Sequence, residues 1–109
     1  MTRGVALTVL LGAAILEAGG DALMRTAINS HTPLQRAAYF GIGAVVLTAY
    51  GCAVNAPAWD FGRLLGIYVV MFFLVAQAIA YLGFGQKPTA AVLIGGAFIV
   101  TGGLIIARG

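Results

Sequence analysis

The stretch LEAGGDALMR, residues 16–25, carries Glu17, Asp21 and Arg25 at intervals of four inside an otherwise apolar segment. Residues four apart share one face of an α-helix, so the three charges form a slanted stripe. Leu10 and Ala14 continue it towards the N-terminus. Two chemistries are open to such a stripe. In one, Asp21 and Arg25 close an intrahelical ion pair and Glu17 is a protonated, hydrogen-bonded packing residue. In the other, Glu17 is a working acid with Asp21 as its tuner or a second acid. Arg25, about 12 Å further along the helix, then snorkels to the interface. Glu17 has no basic residue three or four positions away. Desolvation disfavours its charged form, and a carboxyl in that condition can trade a proton for a cation, which is the chemistry of coupled antiport. Inserting an Asp, Lys or Arg at a helix centre costs about 2.5–3.5 kcal/mol, whereas each Leu, Ile or Val returns only about 0.3–0.6 kcal/mol. An acid held at such depth marks a functional site.

The elements that must position these residues are themselves apolar. Of 109 residues, 61% are hydrophobic and 8% charged, about a third of the charge of an ordinary soluble domain. Apolar spans near 4–27, 37–55, 62–84 and 89–107 each reach the roughly 20 residues that cross a bilayer. The connections INSHTPLQR (28–36), NAPAWD (55–60) and GQKPT (85–89) each hold a proline among polar residues. The expected fold class is an all-α membrane protein: a single four-helix transmembrane domain over 1–109, multi-pass in the cell (inner or plasma) membrane.

Several other classes are excluded. The first span is not read as a cleaved signal peptide: Arg3 is its only basic leader, and the apolar run exceeds a typical h-region. Cys52, alone in an apolar span, implies no disulfide framework. A net charge of +3 resting on nine charged residues gives no reason to expect nucleic acid as a partner. His31, beside Asn29 and Ser30, reads as a solvated loop residue. With no metal-ligand cluster, nucleophile–base set or phosphate-cradling motif, neither enzyme chemistry nor a cofactor or metal is expected.

With four spans, Arg3, Arg63 and Arg108 fall on one side and Arg25, Arg36 and Lys87 on the other. The excess of Lys and Arg that marks cytoplasmic loops is therefore lacking on both sides and does not orient the chain. Such balance is what insertion in both orientations needs, although short loops also give noisy counts.

ILEAGGDALMR (15–25) resembles the first-helix signature of the small multidrug resistance proteins, four-helix members of the drug/metabolite transporter superfamily. There an embedded Glu is followed by small residues, Leu-Met and a basic residue. FGQKP (84–88) resembles that family's connection between helices 3 and 4, and IGGAFIVTGGLII (94–106) its fourth helix, with glycines seven apart. The resemblance implies an antiparallel, dual-topology homodimer in the lipid bilayer. Paired Glu17 residues would bind either protons or a small organic cation or metabolite, with alternating access. Arg25 matches the basic residue at the helix end. Gly95 and Gly102 match the fourth-helix dimer contact, and Gly96 and Gly103 repeat its spacing. Such ridges suit close helix packing, between chains or within one.

Departures from the pattern narrow the expectation. Many family members box cationic substrates with a Tyr and a Trp in helix 3; the corresponding places here hold Leu65 and Tyr68. Tyr68 is thus a cavity candidate by resemblance, and Trp59, in the preceding connection, reads as an interfacial anchor. Gln77 needs a hydrogen-bonding partner in its apolar helix and is read as lining the interior, roughly opposite Tyr68. Arg63, in FGRLLGIY (61–68), looks closer to another group of small four-helix membrane proteins. It either snorkels at a helix end, reaches and neutralises Glu17 or Asp21, or binds an anionic part of a substrate. Asp21 adds a second acid where family members more often carry a neutral residue. These departures favour a proton- or ion-coupled transporter of narrow range. Two other classes stay open: a non-transporting or heteromeric subunit, for example one that helps flip a lipid-linked substrate, and a small dimeric ion channel.

Overall fold

A computed structural model describes all residues 1–109 and contains four helices: α1 (Arg3–Ile28), α2 (Pro33–Val54), α3 (Phe61–Phe84) and α4 (Ala90–Arg108). All four are long and apolar enough to cross a membrane, which fits a multi-pass membrane protein. One boundary departs from the apolar pattern. Helix α2 begins at Pro33 rather than near residue 37, so the first connection shrinks to 29–32. The Thr32 side chain accepts from the Gln35 amide at 3.2 Å, and Pro33 takes a first-turn position where a backbone N–H has no helical partner to lose.

Threonine starts two other helices in the same way, Thr2 accepting from Val5 and Thr89 from Val92. Helix α3 stops at Gly85, whose φ of 65° is open to glycine and strained for other residues. Within the apolar helices, the hydroxyls of Thr8, Thr26, Thr48 and Thr101 each donate to the carbonyl four residues earlier. That satisfies them where no water is at hand.

Helix α1 is the central element. It packs on α2 and on α3, while α4 packs on α3. The molecule is a flattened body of 49 × 35 × 19 Å. Only 15 of its 109 residues are buried, so most apolar side chains face outward, as lipid or a further chain requires. The core gathers Leu10, Ala13 and Ala14 of α1, Val54 of α2, and Leu64 and Tyr68 of α3.

Glycines set two of the three helix contacts. Gly20 receives the side chain of Leu47, and a Cβ on Gly43 would lie 3.4 Å from the Gly20 carbonyl oxygen. On the other side, Gly96 receives the Phe73 ring, 2.6 Å from where a Cβ would stand, and Gly103 receives Val70. Of the four helix-α4 glycines, Gly96 and Gly103 are therefore occupied inside the protomer. Gly95 and Gly102, one position earlier and about 100° around the helix, meet nothing within 4 Å.

This arrangement predicts a split within the glycine pairs. Gly96→Ala and Gly103→Ala should each cost about 1–3 kcal/mol through overpacking. Gly95→Ala and Gly102→Ala should stay within about 0.5 kcal/mol. Thermal unfolding of the detergent-dispersed monomer, followed by circular dichroism, measures both. Equal losses at Gly102 and Gly103 would contradict this packing.

Candidate functional site

Glu17 lies midway along α1, on a face kept narrow by Ala13, Ala14 and Ala18, all buried. Small side chains let α3 approach closely, and Tyr68, 4% exposed, fills the space. Its hydroxyl donates to Glu17 Oε1 at 2.8 Å, joining residues 51 apart in sequence. A phenol can donate to a carboxylate or accept from a carboxylic acid. Tyr68 can therefore partner Glu17 in either protonation state.

A second phenol stands beside the first. Tyr50 of α2 packs against Tyr68 with ring centroids 5.9 Å apart and planes tilted by 31°. Its place follows from the helix α1–α2 register: the antiparallel pairing that sets Gly20 against Leu47 and Gly43 against Met24 also sets Glu17 against Tyr50. Phe72 continues the aromatic group, stacked on Tyr68 at 6.2 Å.

Asp21 and Arg25 do not pair with each other. The Arg25 guanidinium lies over the Phe84 ring, 5.4 Å from its centroid, a cation–π contact. Both charged residues line a cavity of about 230 Å³ between α1 and α3, walled by Phe72, Ile79 and Phe84. Arg25 and Phe84 also border a polar vestibule of about 450 Å³ with Asn29, His31, Gln35 and Tyr39. The vestibule thus adjoins, at Arg25 and Phe84, the mostly apolar cavity that Asp21 lines. From there Phe72 and Tyr68 connect to Glu17.

Arg63 belongs elsewhere. It donates to the backbone oxygens of Gly109 at 2.8 Å and Ala107 at 3.0 Å, and Arg3 donates to Ala107 at 3.2 Å. Its guanidinium is thus taken up by helix-α4 carbonyls and makes no bond to Glu17 or Asp21. Unpaired carbonyls at a helix C-terminus attract cations, so two arginines fasten α1 and α3 to the end of α4. Trp59 and Asp60 border the same region. Gln77 likewise stands apart from the acids, in a cavity between α3 and α4 with Phe73, Val92 and Gly96. Nine residues place Gln77 about half a turn around the helix from Tyr68, so within one protomer the two side chains take opposite faces of α3.

Glu17, Asp21 and Tyr68 are thus drawn together, while Arg63 and Gln77 are not. Tyr50, Phe72 and Phe84 join the site without a motif to announce them. No group of three or more His, Cys, Asp or Glu side chains gathers to hold a metal. Comparison with protein-family models, curated proteins and solved structures finds no match.

The Glu17–Tyr68 bond is measurable as a coupling energy. A double-mutant cycle of Glu17→Ala and Tyr68→Phe, read from unfolding in detergent, should give about 0.5–1.5 kcal/mol, the net range for a hydrogen bond to a neutral acid. Additive effects would remove the bond from the site.

Proposed function

We propose that this chain is a proton-coupled antiporter of small organic cations or metabolites, of the small multidrug resistance type. It works by alternating access as an antiparallel, dual-topology homodimer. The observation that carries the proposal is Tyr68 donating to Glu17 inside a membrane-spanning segment. An acid at that depth needs a partner, and this partner tolerates both the protonated acid and the cation-bound carboxylate. The exchange has a simple balance. A cation entering from water displaces the Glu17 proton, and protonation from the other side releases the cation.

Two further features support this reading. At one end two adjoining cavities share Arg25, and the inner one reaches Asp21, one helical turn from Glu17. At the opposite end, Arg3 and Arg63 fasten the helices to α4. An open end and a fastened end are what one half of an alternating-access cycle requires. Helix α4 leaves Gly95 and Gly102 uncovered beside exposed Leu93, Phe98 and Ile105, a surface suited to a second copy. Whichever membrane houses the protein, the site lies within the bilayer.

The test is proton release from purified protein in weakly buffered detergent when butylammonium is added near neutral pH. Wild type should release protons, Glu17→Gln should release none, and Arg63→Gln should behave as wild type. Release unchanged in Glu17→Gln would refute the shared site. Absence of release across a broad panel of cations and zwitterions would favour a non-transporting or heteromeric subunit.

A further inference from the structure

Asp21 and Arg25 stand exposed, one helical turn apart, where an ion pair adds little stability. They face the same cavity without forming one, because the Arg25 guanidinium is engaged over Phe84. The cavity therefore presents two opposite charges, each with capacity to spare. A ligand carrying one charge would satisfy one of them and leave the other. A ligand carrying both would satisfy the pair.

The space itself is written in the sequence. Ala18 and Ala22 of α1 face Ala76 and Ala80 of α3 across it, and these truncated side chains leave the volume open. At about 230 Å³ it is smaller than the roughly 300–1,000 Å³ of sites for drug-sized ligands. Its occupant is metabolite-sized. Asp21 and Arg25 leave the helix about 6 Å apart along its axis, and the Arg25 guanidinium is drawn off over Phe84 instead of onto Asp21. A zwitterion whose ammonium and carboxylate are several bonds apart spans such a gap better than an α-amino acid. Phe72 and Phe84 supply walls for the short apolar stem between them.

We infer that this cavity binds a small zwitterion, its cationic end on Asp21 and its anionic end on Arg25. The inference rests on the antiporter reading for its consequence: an ammonium on Asp21 stands one helical turn from Glu17, where its charge favours loss of the Glu17 proton. A physical link joins the two positions. Phe72 lines the cavity and stacks on Tyr68, whose hydroxyl holds Glu17. A ligand pressing on Phe72 thus acts on the partner of the proton site. Arg25 has a second consequence for selection. Standing between the vestibule and the cavity, it repels simple cations and favours ligands that bring their own carboxylate. That is the narrow range which the departures from the multidrug pattern suggest.

The experiment uses the full chain in phosphatidylcholine nanodiscs and calorimetric titration with three matched probes: γ-aminobutyrate, butylammonium and butyrate. Wild type should bind γ-aminobutyrate about tenfold or more tighter than butylammonium, as one additional charge-assisted hydrogen bond implies, and butyrate most weakly. Arg25→Gln should bring γ-aminobutyrate down to the affinity of butylammonium. Asp21→Asn should weaken both ammonium probes. Ala76→Leu, which fills the cavity and keeps both charges, should exclude all three while the thermal midpoint is retained.

Equal affinities for γ-aminobutyrate and butylammonium in wild type would overturn the inference, as would a preference that survives Arg25→Gln. The two readings fail separately. Proton release on adding butylammonium without any zwitterion preference would sink the cavity assignment and leave the antiporter standing. Binding of γ-aminobutyrate that depends on Asp21 and Arg25, with no proton released, would uphold the cavity and sink the coupling.

Discussion

Tyr68 reaches from α3 to donate to Glu17 of α1 at 2.8 Å, with Tyr50 of α2 packed beside it. A carboxyl in an apolar span is tolerated only where a neighbouring helix brings a polar group within reach. That constraint governs the packing around it. Alanines at positions 13, 14 and 18 draw α3 close, and Gly20 and Gly43 draw α2 close enough to bring Tyr50 to the same place. Helix α1 is central because it carries the group that most needs company.

The two ends of the molecule differ in how their charges are used. At one end, Arg3 and Arg63 are bound to carbonyls of α4 and hold three helices together. At the other, Arg25 lies over an aromatic ring at the mouth of a cavity. Each arrangement stabilises a guanidinium, but only the second leaves charge facing open space. In an antiparallel pair with both copies in this form, each side would meet one open and one fastened end. One-sided access therefore requires the two copies to differ in conformation, and exchanging those conformations would reverse it.

Much of this is legible in the sequence, for identifiable reasons. Low charge and proline-punctuated spans reveal four membrane helices because the bilayer imposes length and composition directly. Glu17 stands out because its insertion is costly. Tyr50 does not stand out, since its role depends on the register between α1 and α2, which Leu47 seated on Gly20 fixes. The helix-α4 glycines come in adjacent pairs, and period alone cannot say which of each pair turns inward; Phe73 and Val70 decide it. Arg63 is compatible with acids or with carbonyls until the helix-α3–α4 packing brings the end of α4 beside it. The apolar spans also understate α2, because Thr32 and Pro33 begin a helix before its hydrophobic residues do.

The central claim is that Glu17 changes protonation when a cation binds and that Tyr68 partners it in both states. Infrared difference spectroscopy of the lipid-embedded protein, recorded on adding butylammonium, observes the carboxyl directly. Wild type should lose a protonated-carboxyl C=O band and gain carboxylate bands. Glu17→Gln should abolish both changes, and Tyr68→Phe should shift their frequencies. The same bands persisting in Glu17→Gln, or no carboxyl change when the cation binds to wild type, would contradict the claim.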